Sequence, residues 1–294
     1  MQPKTIGIIC ILITSVLWAI EPVLAKLAYA SSDALNISLV RSAVVALMAF
    51  LYVLLTNKGN FKISRKEFSV LAYVALIGAV LADFLYIYAI SRISVVNAVV
   101  IGHMQPIFIV LFGFMLISER PSKYDYIGMV LMIIAGIFVS SGSLQAFLSF
   151  RIGTFADLLI IFATVAWATT TLAVRKYLQK KNAGVISFYR SIISSSVFLL
   201  YALMFSKLIA VNIYQLGVGL VVGIGTLLYY EGLKRLKAMQ VGSLELSTPF
   251  FAAFFGFIIL GERITSFQAA GIFLLMIGIY LLSRKDVVVR IVKG

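Results

Sequence analysis

FGFMLISERP, residues 112–121, returns as FGFIILGERI at residues 255–264. Phe112, Gly113, Phe114, Glu119 and Arg120 recur as Phe255, Gly256, Phe257, Glu262 and Arg263, each 143 residues downstream, with apolar residues between. The match extends outward. Tyr86 meets Tyr229, Arg92 meets Arg235, Pro106 meets Pro249 and Gly128 meets Gly271 at the same offset. Before the loop after the second apolar run the offset is 149, pairing Trp18 with Trp167 and SLVR (38–41) with SFYR (187–190). The chain is therefore one unit written twice, over 1–146 and 151–284, with a basic tail at 285–294.

Each unit is too apolar for water. The 294 residues are 62% hydrophobic and only 12% charged, with a mean hydropathy of +1.07. Soluble domains carry about 25% charged residues, so lipid must be the solvent for most of this surface. Apolar stretches fall at 5–29, 35–56, 69–91, 94–118, 122–144, 155–178, 184–205, 214–236, 239–260 and 265–283. A helix needs about 20 residues to cross the hydrocarbon, and the runs lack the alternation of a barrel strand. The expectation is an all-α integral membrane protein of ten transmembrane helices. The first run lacks a small-residue cleavage site and has an internal counterpart, so it reads as a span rather than a signal peptide.

Ten spans put both termini on one side. With that side cytoplasmic, nineteen of the 25 Lys and Arg lie at inner ends. Lys26, Arg41, Arg92, Arg151, Lys207 and Arg263 remain for the outer ends, and that bias fixes the orientation. Because five is odd, the second unit enters the membrane from the opposite face. Two inverted five-helix repeats are a recurrent plan of secondary transporters, since exchanging the conformations of similar halves opens a cavity alternately to either side.

The net charge of +14 is spread over short loop clusters such as KGNFKISRK (58–66). This suits anionic headgroups and not nucleic acid. One cysteine and one histidine leave no disulfide and no metal cluster. No cofactor is expected; the partners are membrane lipid and a small-molecule substrate, and the oligomeric state stays open, a monomer being compatible with the sequence.

Two five-helix halves, a Trp in the first helix of each, an aromatic third helix, Pro in the fourth and GER-like ends before the fifth resemble the drug/metabolite transporter superfamily in its EamA branch. That resemblance implies a ten-helix carrier, often an exporter of amino acids or related metabolites. It also implies a cavity lined by the first, third and fourth helices of each half.

Polar groups at membrane depth mark candidate sites. Glu21 precedes Pro22 and shares a face with Trp18; it reads as a proton or cation site, or as a carboxylate paired with Lys26 or Arg41. Its counterpart is Thr170, beyond Trp167. His103 and Gln105 precede Pro106, and Glu245 and Thr248 precede Pro249, where a proline opens backbone carbonyls to a ligand. Asp83 and Tyr86 share a face and align with Thr226 and Tyr229, with Tyr230 adjacent. Substrate contacts are thus expected from Trp18, Glu21, Asp83, Tyr86, His103, Gln105, Trp167, Thr170, Tyr229, Tyr230, Glu245 and Thr248. Glu21, His103 and Glu245 are the candidates for proton coupling, and Pro22, Pro106 and Pro249 for helix kinks.

Glu119 and Glu262 read as caps of the helix that follows, Glu231 as a surface partner of Lys234 and Arg235, and Arg41 and Arg190 as interfacial residues that snorkel. Two alternatives stand beside metabolite export. Proton-coupled efflux of lipophilic cations would work through Glu21, and a membrane-embedded enzyme would need convergent acids or a nucleophile with its base.

Overall fold

A computed structural model describes residues 3–117, 123–149, 153–178, 181–205, 210–236, 244–245 and 247–283. In the first half these form α1 (Pro3–Ala28), α2 (Ala34–Thr56), α3 (Arg65–Ile90), α4 (Val95–Gly102), α5 (Gln105–Ile117), α6 (Lys123–Ser141) and the short α7 (Leu144–Leu148). The second half contributes α8 (Phe155–Tyr177), α9 (Ala183–Met204), α10 (Ile213–Arg235), α11 (Thr248–Leu260) and α12 (Ser266–Ser283).

Small polar residues punctuate the apolar runs. Asp33, Ser94 and Asn182 each accept a backbone N–H at the start of α2, α4 and α9. Ser64 with Glu67, Thr154 with Asp157, and Asn212 with Gln215 form reciprocal caps at the starts of α3, α8 and α10. These caps satisfy backbone donors that lipid could not.

Among the described residues seven helical runs are long and apolar enough to cross a membrane, and Tyr126–Ser141, Thr248–Leu260 and Ser266–Leu281 are shorter apolar helices. The expected run at 94–118 is interrupted at His103 and Met104, between α4 and α5. The expected run at 239–260 is a helical turn at Leu244–Glu245 followed by α11; 239–243 lie outside the described residues. Pro106 and Pro249 occupy the first turns of α5 and α11. There a missing N–H costs the new helix nothing but separates it from the old one. Pro22, expected to kink, stays inside an unbroken α1.

Contacts between the halves dominate the packing, and they map onto themselves when the halves are exchanged. α1 packs on α10 as α8 packs on α3; α2 packs on α10 as α9 packs on α3; α1 meets α11 as α8 meets α4 and α5. The self-matched pairs α2–α9 and α6–α12 are also in contact, and α11 lies against α4, the segment just before its own counterpart α5. Outward faces keep large apolar side chains exposed, including Leu47, Leu55, Phe162, Leu200 and Phe257. In this chain they are lipid-facing surface, not a defect.

The second copy of the decapeptide shows what the motif builds. α11 ends in a left-handed Gly261 (φ +67°), with Gly261 N–H bonded to Phe257 O and Glu262 N–H to Gly256 O. This left-handed cap swings Glu262 back beside Gly256, where a Cβ would lie 3.3 Å from its carboxylate. Glu262 then accepts from Val95 N–H at 2.8 Å and from Lys26 Nζ at 2.5 Å. It caps α4 of the other half, rather than the helix that follows it. Glu262→Gln should therefore lower stability by about 0.5–2 kcal/mol, the worth of one helix cap. Lys26→Met added to it should cost little more, as denaturant titrations would show. Glu119 and Arg120 lie outside the described residues.

Candidate functional site

α3 opens into π-helical winding over Val74–Ala82, closed where Asp83 N–H bonds to Gly78 O. Such wide turns re-aim the side chain that follows, and here that side chain is Asp83. Its Oδ2 accepts from Arg41 Nη1 and from Arg190 Nη2, both at 2.7 Å, while Oδ1 accepts from Trp167 Nε1 at 2.8 Å. Arg41 also donates through Nε to Glu21 Oε1 at 2.9 Å. Asp83 is 4% exposed and Glu21 7%. Two carboxylates and two guanidiniums, drawn from α1, α2, α3 and α9, make a buried cluster with no net charge.

The cluster unites Glu21, Asp83 and Trp167 with two residues expected only to snorkel. Arg41 and Arg190 sit inside the bundle, because both acids lie in the first half and draw a guanidinium from each half. Their signal was in the sequence: SLVR and SFYR hold them at matched positions. Glu21 takes the Arg41 partner.

Aromatic pairs stand in exchange-related positions, one of them at the cluster. The Tyr86 ring lies 5.3 Å from Trp167, and the Tyr229 ring 5.1 Å from Trp18. Tyr230 packs edge-on to Tyr229 at 5.6 Å. A Cβ on Gly225 would lie 2.8 Å from Trp18 Nε1, so α10 can approach that indole only because position 225 is bare. Thr170 donates to Trp167 O and lies against Gly78, closing α8 onto the π-helical turn.

At the α4–α5 break, His103 Nδ1 contacts Val99 O at 2.7 Å and Gln105 Nε2 donates to Thr171 Oγ1 at 2.9 Å. Gly102 is within 4 Å of both Trp167 and Tyr86, counted from its virtual Cβ, so this break opens beside the cluster. The matching break lies against α1, where Ser15 Oγ reaches Leu244 O at 3.5 Å and Leu244 packs with Ile11, Leu236 and Tyr229. The expected site residues therefore fall into two groups. Glu21 and Asp83 form the ion cluster, Trp167 bonds to it, Tyr86 and Thr170 pack around Trp167, and His103 and Gln105 sit at the neighbouring α4–α5 break. Trp18 and Tyr229, with Glu245 and Thr248, belong to the second break, while Tyr230 packs against Leu71, Leu178 and Ile186. Glu231 holds Arg235 at 2.5 Å and Tyr52 at 2.7 Å. Among the described residues no group of His, Cys, Asp and Glu could hold a metal ion.

Comparison with known proteins places the chain. The pattern of the EamA-like transporter family matches residues 5–141 and again residues 154–284. The chain belongs to the EamA-like transporter family. It is a multi-pass membrane protein of a transporter family and not an enzyme. An uncharacterized transporter of Methanothermobacter thermautotrophicus is 25% identical over 232 residues, covering 77% of this chain and 67% of the relative. Another, from Archaeoglobus fulgidus, is 25% identical across 93% of this chain and 96% of its own length. The pseudopaline exporter CntI of Pseudomonas aeruginosa (strain UCBPP-PA14) is 24% identical, covering 95% and 96% respectively. A solved crystal structure with 15% identity superposes with a TM-score of 0.66 over 94% of this chain and 95% of its own, a likeness of fold.

Proposed function

We propose that this EamA-family member is a secondary transporter that exports small organic metabolites, amino acids or related compounds foremost, by alternating access. In this reading the ten apolar segments are two inverted five-helix halves with both termini on the cytoplasmic side. The observation that carries it is the double family match, on 5–141 and 154–284, joined to helix contacts that survive exchange of the halves. A bundle whose two halves can trade packing arrangements has the bistability that alternating access needs. The exporter CntI, alike over nearly the whole chain, supports outward movement of a metabolite.

The cluster of Glu21, Arg41, Asp83 and Arg190 supports an amino-acid-like cargo. A buried site of zero net charge keeps that balance when it takes a zwitterion, whereas a lone anion or cation would leave an uncompensated charge. Tyr86 and Trp167 offer ring faces for the cargo's apolar part. Glu21 is held by Arg41, which weighs against it as the free acid of a lipophilic-cation exporter.

The test is counterflow in proteoliposomes containing the purified protein, with a radiolabelled panel of amino acids, their N-substituted derivatives and other metabolites. Saturable counterflow of a zwitterion, lost in Arg190→Gln, is the expected result. Flux of lipophilic cations alone, or of no compound in either direction, overturns the reading.

A further inference from the structure

The second helix break differs from the first in its polar residues. It carries a carboxylate, Glu245, where the first half has Gly102. Every other acid at membrane depth in the described residues has a partner: Glu21 and Asp83 in the ion cluster, Glu231 with Arg235 and Tyr52. Glu245 is half-buried and, among the described residues, has no ion pair and no hydrogen bond. Beside it, Thr248 is fully buried and its hydroxyl has no partner either. Pro249, four residues on, has no N–H to give the Glu245 carbonyl. One helix break thus carries a carboxylate and a hydroxyl that take no hydrogen bond among the described residues, beside a carbonyl that Pro249 cannot serve.

Among the described residues the neighbours supply no countercharge. α1 presents Ile8, Ile11 and Ser15 to this region, and α10 presents Tyr229 and Leu236. The titratable or charged groups of these helices are Lys4, Cys10, Glu21 and Lys26 on α1 and Tyr214, Tyr229, Tyr230, Glu231, Lys234 and Arg235 on α10. Lys26 is held by Glu262, Glu21 by Arg41, and Glu231 with Arg235 by each other. Across from α11, α4 contributes Asn97, bonded to Gln268, and ends at His103. An unpaired carboxylate in this setting is costly when ionised, and oxygen-rich unwound turns are where transporters hold coupling cations.

We infer that the break around Glu245, Thr248 and Pro249 is a monovalent-cation site, taking a proton or Na⁺, that couples cation movement to the transport cycle. Its occupancy neutralises the one acid at membrane depth that has no partner among the described residues. Coupling rests on the transport reading above; cation binding does not, and it is tested without cargo.

The full chain in lipid nanodiscs is titrated from about pH 9 to about pH 5 while the infrared C=O band of protonated carboxyl groups is followed. A parallel series at fixed pH exchanges choline chloride for NaCl and follows thermal unfolding. For a proton site, wild type gains a carboxyl band on acidification that Glu245→Gln lacks. For a Na⁺ site, NaCl raises the unfolding temperature of wild type and leaves that of Glu245→Gln unchanged. Thr248→Val, which keeps the carboxylate, shifts the midpoint of whichever response occurs. Glu245→Gln is isosteric and removes an unmatched charge, so it should fold with unchanged or higher stability. Identical pH and salt responses in wild type and Glu245→Gln overturn the site. Cargo flux that survives with no dependence on pH, Na⁺ or Glu245 overturns the coupling while leaving the transport reading intact.

Discussion

Asp83→Asn is expected to cost the fold about 3–5 kcal/mol, the scale for breaking a buried pair by removing one partner. The carboxylate receives both guanidiniums on one oxygen and the Trp167 indole on the other. Once it is an amide, Glu21 alone faces Arg41, and Arg190 loses the only ion pair found for it among the described residues. One buried positive charge then has no match. The damage should be electrostatic and not steric, because Asn fills the same volume. Adding Arg190→Met removes the stranded cation and should recover much of the loss, since an apolar side chain can replace a buried ion partner at little cost. Denaturant titration in detergent would measure both. A single variant within about 0.5 kcal/mol of wild type, the range of ordinary surface changes, would sink the cluster as a structural centre. Transport should vanish in Asp83→Asn and stay absent in the double variant, separating the cluster's part in folding from its part in binding cargo.

Gly278→Leu is the second large effect. A Cβ at Gly278 would lie 2.6 Å from Met132 Cγ and 2.9 Å from Gly128 O. At Gly271 it would lie 2.5 Å from Val139 Cγ2 and 3.0 Å from Ala135 O. With the offset of 143, Gly128 corresponds to Gly271 and Ala135 to Gly278, so these are one contact seen from both halves. The side chains could rotate away; the backbone oxygens cannot. α6 and α12 must separate to admit a leucine, at about 1–3 kcal/mol or somewhat more for an overpacked interface. Lipid offers no hydrophobic drive to press the helices back together. Leu at the lipid-exposed Phe273 on the same helix is the control and should be neutral. Equal stability of the two variants would mean that the close approach of α6 and α12 carries no weight.

Legibility followed the physics of each signal. The doubled unit and its membrane class were readable because lipid imposes long apolar runs and duplication leaves residues at fixed offsets. Trp18, Trp167, Tyr86 and Tyr229 were found by those offsets, and the structure pairs their rings across the halves. Arg41 and Arg190 were also found by offset, but their role was misjudged. An arginine seven residues inside an apolar run looks the same whether its guanidinium reaches water or a buried acid. The interruptions after Gly102 and before Thr248 were flagged by their prolines. Pro22, of the same residue type, leaves α1 whole, because neighbours in the bundle decide whether a missing hydrogen bond ends a helix.

The sequence by itself determined the solvent, the repeat and the transporter class, since hydropathy and periodic identity are properties of the chain read in order. Only the tertiary structure decided which charges meet. Glu21, Arg41, Asp83 and Arg190 are spread over 170 residues, and electrostatic pairing in a low dielectric depends on separation in space, which four helices from both halves must set together. Among the described residues the same assembly leaves Glu245 without a counterion, and no reading along the chain could have distinguished it from the paired acids Glu21, Asp83 and Glu231.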